Sequence, residues 1–423
     1  MLTTSVNAAE KVLARCQTLA RFSEDREGTR RTFLSPPMHD CHREVSQWLA
    51  EVGVSTRVDA AGNLRGIYPG ATPDAPRLLM GSHLDTVPNA GAYDGILGVT
   101  LAVALLEGLE GRRLPFAIEV VGLSEEEGVR FGRPFIGSRA LVGRLDDELL
   151  DCRDAQGISV RRALEDFGLP VNEIPQARLD ADVLSYLEFH IEQGPVLEDL
   201  GFALGAVEAI AGQSRLEFTF AGRANHAGTT PMHLRHDALA GAAEWIVAVE
   251  KAAEVAAGAS KGLVATVGVL DVKPGAVNCI PGQARLSLDV RHASDEVREN
   301  AVKDLVQRAQ EIAQRRELRL SSKMLLDQRA VAMDTFFVAQ IAEAMRKVGC
   351  APHRMVSGAG HDAMILAEQV PAAMIFLRTP GGVSHDPSET VRAGDITKAI
   401  ACGMQLLEQL AGSREFLTRT RRA

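Results

Sequence analysis

Residues Gly81–Thr86 read GSHLDT and residues Tyr93–Gly95 read YDG. The apolar run before them, residues 77–80, predicts a short buried strand that opens onto a cleft at His83. Positions two apart in an extended segment share a face, so we expect His83 and Asp85 to point the same way. The Asp85 carboxylate is then placed to accept a hydrogen bond from the ring nitrogen of His83 that binds no metal.

A long apolar segment follows YDG, from Ile96 to Leu109, with helical length and no proline. Asp94 is therefore expected at a helix start, where a carboxylate is favoured as a cap and as an anion near the positive end of the helix dipole. Taken alone, His83 and Asp94 are explained more readily as a strand-end histidine and a helix cap than as functional residues. The rest of the chain favours a functional interpretation.

Three further strand-like runs end in groups that bind metals or move protons. Residues 117–123 lead into Glu125, Glu126 and Glu127, residues 187–192 carry His190, and residues 372–377 precede His385. Consecutive carboxylates at the end of a buried strand repel one another unless a cation offsets them. In an open α/β sheet, the strand ends on one side form the ligand crevice. These strand ends together predict one site.

Five motifs carry a resemblance to a known family: GSHLDT…YDG, EEEG-x-RF, FHIEQGP, ANHAGTTPM and GGVSHDPSE. In this order they resemble the carbamoylase and allantoate amidohydrolase branch of the M20 metallopeptidase-like superfamily, over about residues 28–389. The resemblance implies an α/β fold, with a catalytic α/β/α domain built on a mixed, largely parallel sheet (residues 1–211 and 329–423). A smaller α+β sandwich, the lid and dimerisation domain (residues 212–328), interrupts it. A homodimer is also implied.

The resemblance further implies two divalent metal ions per subunit. His83, Asp94 and His190 match the ligands of one ion, while Asp94, Glu127 and His385 match those of the second, with Asp94 bridging. Glu126 matches the general base and Asp85 the acid that orients the ligands. Two ions ~3.5–4 Å apart would polarise a carbonyl and supply hydroxide near neutral pH. Imidazole and carboxylate ligands suit Zn, Mn, Co or Ni without a clear preference.

The predicted lid has its own polar residues. His226 lies in the turn-rich segment 221–231, where a lone histidine is more often structural or simply exposed. The resemblance matches it instead to a residue that stabilises the oxyanion of a tetrahedral intermediate. Positions that bind substrate in the family are matched by Gln213, Asn278 and Arg291. Gly360 is also expected to bind substrate, because it lies in a flexible turn that opens a helix and suits the binding of an anion by backbone N–H groups. The Arg291 guanidinium suits a carboxylate, whereas Asn278 could otherwise be an ordinary turn residue. His361 and Asp362 are expected to have local structural roles.

The order of elements within the lid is strand–helix–strand–strand–helix–strand, which predicts a four-stranded antiparallel sheet with two helices. The helices are expected at residues 237–257 and 296–315. The strands between them are expected at residues 262–270 and 284–291.

Composition agrees with a cytoplasmic enzyme of two to three domains. The chain has 423 residues and a net charge of −9, which argues against a nucleic-acid surface. Its six cysteines include no CxxC pair, so they are expected to be reduced thiols. The sequence does not open with a charged n-region and an apolar h-region, and no apolar run of ~18 residues lacks charge, so neither secretion nor a membrane span is expected.

The expected reaction is hydrolysis of an N-carbamoyl-L-amino acid to the amino acid, carbon dioxide and ammonia. Allantoate and carbamoyl-β-alanine are alternative substrates, because the motifs bind features that all three ureido acids share. An aminopeptidase or dipeptidase is less favoured, since His190 stands where many peptidases of the superfamily have a carboxylate. A metal- or peptide-binding protein that has lost catalysis would lack a ligand or the base, and here every matched position is occupied.

Overall fold

The computed structural model describes residues 2–260 and 262–419. The strands are β1 (Thr56–Val58), β2 (Leu64–Tyr68), β3 (Arg77–His83), β4 (Ala117–Leu123), β5 (Val183–Ile191), β6 (Leu204–Ile210), β7 (Gly212–Ala221), β8 (Asn225–His226), β9 (Val264–Thr266), β10 (Leu270–Lys273), β11 (Cys279–Ile280), β12 (Gln283–His292), β13 (Arg319–Gln328), β14 (Val331–Ala332), β15 (Arg354–Ser357) and β16 (Ala372–Leu377). The helices are α1 (Leu2–Ala20), α2 (Pro36–Glu51), α3 (Ile96–Gly108), α4 (Ile136–Leu141), α5 (Asp147–Leu150), α6 (Val160–Asp166), α7 (Val196–Asp199), α8 (Ala238–Ser260), α9 (Asp295–Arg315), α10 (Thr335–Lys347), α11 (Asp362–Leu366), α12 (Ala393–Ala411) and α13 (Arg414–Leu417). Three 3₁₀ segments span Val171–Ala177, Met232–Leu234 and Pro380–Gly382.

Two compact units divide the chain. The first unit comprises Met1–Glu208, Met333–Met355 and Gly360–Ala423, and the second comprises Ala209–Ala332 and Val356–Ala359. The predicted lid, residues 212–328, lies within the second unit. Residues 1, 261 and 420–423, which fall inside the predicted domain limits, lie outside the described residues.

The large sheet has the strand order β1-β2-β4-β3-β5-β16-β6-β14, with β15 beside β6. Its centre is parallel, because β3 pairs in parallel with β4 and β5, and β5 pairs in parallel with β16. The flanking pairs β2–β4 and β16–β6 are antiparallel. The predicted α/β class with a mixed, largely parallel sheet is therefore confirmed. Parallel pairing brings the carboxyl ends of β3, β4, β5 and β16 to one edge of the sheet.

Helix α3 is buried on all sides, since every residue from Ile96 to Leu106 is buried. This agrees with its sequence, which is apolar around the whole helix. It packs on β3 and β5 and also contacts α1 and α12. Each fully buried leucine or valine of such a helix contributes roughly 1.5–3 kcal/mol relative to an exposed one. Close packing of α3 holds the YDG loop at its amino end against the ends of the parallel strands.

The second unit is built on an antiparallel sheet with the order β10-β12-β7-β13, and β9 also pairs with β12. Alternate residues of β7 and β12 face the core formed with α8 and α9, where Phe218 and Trp245 are fully buried. The indole N–H of Trp245 donates to the carbonyl of Leu305 at 3.0 Å. The opposite face of these strands carries polar side chains, including Gln213 and Arg291.

One prediction about this sheet was wrong. The strand expected at residues 262–270 is two short strands, β9 and β10, so that the sheet has five strands instead of four. The regular pairing with β12 is interrupted around Gly268. There the backbone N–H of Val269 donates to the side-chain hydroxyl of Ser287 at 3.0 Å. Both short strands still pair with β12.

Among residues 2–260 and 262–419, the helices are too short or too polar to cross a membrane.

Candidate metal centre

Asp94 lies between two groups of side chains at the edge where the parallel strands end. Its Oδ1 is 3.1 Å from Nε2 of His190 and 3.7 Å from Nε2 of His83. Its Oδ2 is 3.2 Å from Nε2 of His385, which is itself 3.7 Å from a carboxylate oxygen of Glu127. Two clusters that could hold a metal ion, His83–Asp94–His190 and Asp94–Glu127–His385, therefore share one carboxylate.

The ring orientations in the first cluster suit a cation. His83 Nδ1 lies 3.0 Å from the carbonyl oxygen of Asp85, and His190 Nδ1 lies 2.9 Å from the carbonyl oxygen of Ile191. A carbonyl only accepts, so each Nδ1 carries a proton, and in the neutral ring Nε2 is an acceptor. The Nε2 of His190 accepts the backbone N–H of Gly95 at 3.2 Å. The two Nε2 atoms are 3.4 Å apart, and the buried Asp94 Oδ1 beside them has no hydrogen-bond partner among the described residues. Acceptors that converge in this way fit a divalent ion.

The second cluster is more open than the first. His83, Asp94 and His190 are buried, whereas 48% of the His385 side chain is exposed. His385 also has a φ of 57°, in the left-handed region that is uncommon for residues other than glycine. Such a conformation persists only where the surroundings hold it, and it is concentrated at functional sites.

The expected role of Asp94 as a helix cap was wrong. Helix α3 begins at Ile96, its N-cap is Gly95 with a φ of 67°, and no side chain caps it. A Cβ at Gly95 would lie 2.4 Å from the ring of His83, so only glycine fits this close approach. Asp94 thus precedes the helix, and its carboxylate faces the histidines.

Asp85 has a different partner from the one expected. Its carboxylate is 3.8 Å from His83 Nδ1, too far for a hydrogen bond, because the Asp85 carbonyl occupies that position. The two carboxylate oxygens instead accept the backbone N–H groups of Glu126 and Glu127, at 3.0 and 3.1 Å. Asp85 therefore positions the loop with the general-base candidate, and orients His83 only through its backbone.

Glu126 is buried next to these clusters, with a ligand-type atom within 4.8 Å of His83 and Glu127. Burial and the neighbouring carboxylates raise the pKa of Glu126 well above its usual value, although His83 opposes the shift. Burial also raises the pKa of Glu127 to about 7, with Asp94 adding to the effect. A buried space with this many acidic groups is one that a divalent cation would neutralise.

Three further residues hold this site, and the sequence analysis did not assign them a role. Gln193 donates from Nε2 to Asp94 Oδ2 at 3.0 Å and has a φ of 58°. Glu389 accepts the backbone N–H of Asp94 at 3.1 Å. Glu188, behind His190, accepts the Ser82 hydroxyl at 2.7 Å. Gln193 and Glu389 belong to the motifs FHIEQGP and GGVSHDPSE, so their position in these motifs was the available signal.

Gly360 belongs to the first unit and is exposed in the turn before α11. The two residues after it are buried, and the ring of His361 packs edge-to-face on His190 with centroids 4.5 Å apart. The first free N–H of α11, from Ala363, is taken by Glu188 at 3.1 Å. Glu188, His190 and His361 also form a group whose atoms could hold a metal ion, so the structural role of His361 stays a prediction.

The polar face of the second unit brings two of the predicted substrate-binding residues together. Gln213 and Arg291 are directly opposite each other on β7 and β12. Both bind the same carboxylate, since Arg291 donates to Asp289 at 2.8 and 3.2 Å and Gln213 Nε2 donates to it at 2.5 Å. Arg291 also donates to the carbonyl of Gly358 at 2.6 Å. Ion pairs with Arg291 and Arg215 hold the pKa of Asp289 below its usual value, although burial opposes the shift.

His226 and Asn278 lie on an exposed part of the same unit. Strand β8, which contains His226, pairs with β11, and the carbonyl of Asn278 accepts the N–H of Ala227 at 2.9 Å. The ring Nδ1 of His226 accepts the N–H of Gly228 at 3.1 Å. This contact places the proton of the neutral ring on Nε2, so the exposed nitrogen of His226 is a hydrogen-bond donor.

A family model matches residues 79–409 and describes peptidase family M20/M25/M40. The chain is 44% identical over 349 residues to N-carbamoyl-L-amino acid amidohydrolase of Geobacillus stearothermophilus, covering 82% of this chain and 84% of the relative. It is 37% identical over 431 residues to allantoate deiminase of Arabidopsis thaliana, covering 95% of this chain and 82% of the relative.

Solved structures agree with these relatives. An amidase of the hydantoinase/carbamoylase family from Burkholderia multivorans has a TM-score of 0.88 and 29% sequence identity. The match covers 94% of this chain and 97% of the amidase.

Proposed function

We propose, from the premise that this chain belongs to peptidase family M20/M25/M40, that it hydrolyses N-carbamoyl-L-amino acids with two divalent metal ions per subunit. The family is metal-dependent, and its amidohydrolase relatives act on carbamoyl or ureido C–N bonds. The observation that carries the proposal is the Asp94 carboxylate, whose two oxygens face two separate ligand-type clusters beside the buried Glu126.

In this proposal His83, Asp94 and His190 would hold one ion, and Asp94, Glu127 and His385 the other. When bound, the two ions supply Lewis acidity for the attacked carbonyl and lower the pKa of water. Their identity as Zn, Mn, Co or Ni is not selected by this donor set.

The side chains of this protein then have separate tasks. Glu126 takes a proton from the water that attacks the carbamoyl carbon and passes it to the departing nitrogen. His226 donates its Nε2–H to the oxygen on which charge develops. Arg291, with Gln213, Asn278 and Gly360, holds the substrate carboxylate. Cleavage of the C–N bond to the departing nitrogen leaves a carbamate, which loses carbon dioxide and so breaks the second C–N bond. The products are the amino acid, carbon dioxide and ammonia.

Allantoate is the second candidate substrate, because relatives named allantoate deiminase align with 95% of this chain. It also presents a ureido group beside a carboxylate, so the same residues would bind it. Carbamoyl-β-alanine is a third candidate, because it too has a ureido group and a carboxylate. We further propose that the second unit is the lid and dimerisation domain of a homodimer, which the motif resemblance supports. A cytoplasmic location is supported by the six unpaired cysteines.

The test is a substrate panel. Purified protein loaded with Mn, Co, Ni or Zn is incubated with N-carbamoyl-L-amino acids, allantoate, carbamoyl-β-alanine and dipeptides, and released ammonia and amino acids are quantified. We expect the highest kcat/KM on an N-carbamoyl-L-amino acid, and no ammonia from a carbamoyl amide that lacks the carboxylate. Dipeptide cleavage without ammonia release from any ureido acid would contradict the proposal.

A further inference from the structure

One buried carboxylate, that of Glu389, connects two loops that are far apart in the chain. Its Oε1 accepts the backbone N–H groups of Tyr93 and Asp94, at 3.0 and 3.1 Å. Its Oε2 accepts the hydroxyl of Ser384 at 3.1 Å, next to His385. Only 4% of Glu389 is exposed. The same side chain therefore holds the loop with Asp94 and the loop with His385.

The loop opposite Glu389 is shaped to receive it. A Cβ at Gly91 would lie 2.5 Å from the Cβ of Glu389 and 2.7 Å from its Oε1. Real side chains do not approach so closely, so position 91 needs a glycine for the Glu389 carboxylate to reach the backbone beyond it.

The two ligand clusters depend on this contact to different degrees. In the first cluster, His83 is the last residue of β3 and His190 lies inside β5, so the central sheet fixes both. In the second cluster, His385 follows β16 by several loop residues, is half exposed and has a left-handed backbone. No strand fixes His385, whereas Glu389 connects its loop to that of Asp94.

We propose that Glu389 is a positioning residue for the second metal site, and that it sets the separation between Asp94 and His385. The inference rests on the proposed function, because it assumes that Asp94, Glu127 and His385 bind an ion. Glu389 does not touch the reacting atoms. Its effect depends on the length of the side chain, because a shorter one would not form hydrogen bonds with Tyr93, Asp94 and Ser384 at the same time.

The experiment titrates metal-free protein with Co²⁺ against a chromophoric chelator and follows the visible spectrum of bound Co²⁺. The variants are Glu389→Ala, Glu389→Asp, which keeps the charge but shortens the reach, and Glu389→Gln, which keeps the reach but removes the charge. The matched control is Asp154→Asn, because Asp154 is also a largely buried carboxylate in the first unit that accepts two backbone N–H groups, from Gln156 and Ile158. Circular dichroism reports whether each variant is folded.

We expect wild type and Asp154→Asn to bind two Co²⁺ per subunit. Glu389→Ala should weaken the second binding step about 10–100-fold, the effect typical of removing a residue that orients a ligand. Glu389→Asp should weaken it nearly as much, and Glu389→Gln should restore most of it because an amide oxygen still accepts both N–H groups. The first binding step should change little in all three. If Glu389→Ala does not fold, the difference in the second binding step between Glu389→Asp and Glu389→Gln still tests the inference.

Three results would overturn the inference: a second step that is unchanged in Glu389→Ala and Glu389→Asp, equal weakening of both steps, or rescue by Asp but not by Gln. The last would show that charge, instead of reach, matters. Failure of the wild-type protein to bind two ions would count against the proposed function itself. A wild-type protein that binds two ions, together with Glu389 variants whose second step is unchanged, would count against the role of Glu389 alone.

Discussion

The candidate metal-ligand cluster of the first unit and the polar face of the second unit present their side chains in opposite ways. His83, Asp94 and His190 are buried, and backbone carbonyls fix the imidazole rings. Arg291 and Gln213 are partly exposed and bind the neighbouring Asp289. A buried group keeps its geometry because the surrounding packing leaves no alternative. An exposed pair can exchange its partner at small free-energy change, since water screens both states.

This contrast predicts that substitution of the buried Glu126 affects the chemical step, whereas substitution of Arg291 or Asp289 on the polar face affects substrate binding. His226 lies outside both regions, and its proposed contact with the developing oxyanion makes it a third case that should affect kcat. Four variants test the contrast, and the first three each have a control of the same residue type.

Glu126→Gln should have the largest effect. Its amide cannot accept the proton of the attacking water, so kcat should fall by about 10²–10⁴, the usual contribution of a general base. Metal content, measured by atomic emission, should match that of the wild type. The control is Glu125→Gln, because Glu125 accepts the N–H of Arg130 at 3.0 Å and an amide oxygen can replace that contact. Full activity of Glu126→Gln would remove this residue as the base.

His226→Ala should rank second. Loss of one donor to the developing oxyanion lowers kcat by about 10²–10³ in other acyl-transfer sites. The KM and the metal content should change little, because His226 is exposed and belongs to neither ligand cluster. The control is His233→Ala, an exposed histidine in the 3₁₀ segment that follows. Equal activity of the two variants would argue against an oxyanion role.

Arg291→Ala should act on binding. A charged hydrogen bond contributes about 1.5–3 kcal/mol, so KM should rise roughly 10–100-fold with bound metal unchanged. Arg285→Ala is the control, because Arg285 lies on the same strand and face and pairs with Glu217 and Asp271. Parallel loss of affinity for metal and substrate in Arg291→Ala would contradict the separation of roles.

Asp289→Asn should have the smallest effect, and it should lower KM, whereas Arg291→Ala should raise it. Asp289 forms an ion pair with the guanidinium of Arg291, so it would compete with a substrate carboxylate for the same hydrogen-bond donors. Because ion pairs that water still reaches contribute about 0.2–1 kcal/mol, neutralisation of the partly exposed Asp289 should lower KM by up to about fivefold. Steady-state kinetics on the best ureido acid would measure this change. A higher KM would mean that Asp289 orients Arg291 for the substrate instead of competing with it.

The sequence predicted the central features of the fold because strand ends leave a clear local pattern. Apolar runs followed by His, Asp or Glu located β3, β4, β5 and β16, and their parallel pairing brings those ends together. The helices of the second unit were also located to within a few residues.

The remaining features depend on contacts that a local pattern does not contain. Alternation placed Asp85 on the same face as His83, but it does not reveal that a backbone carbonyl lies closer to the ring than the carboxylate does. The role of Glu389 depends on backbone N–H groups almost three hundred positions earlier, about which its neighbours in the sequence carry no information. The break around Gly268 follows from the Ser287 hydroxyl on another strand.

The strand order of the large sheet has a consequence for how the chain is made. Strand β5, which carries His190, pairs on one side with the early strand β3 and on the other with β16, close to the end of the chain. A growing polypeptide therefore leaves one edge of β5 unpaired until the ribosome has passed residue 377, and such edges recruit foreign strands. His83, Asp94 and His190 all emerge before the second unit, whereas His385 emerges after it. In the proposed two-ion centre, the ligands of the first ion are accordingly complete while translation is still under way, and those of the second only near its completion.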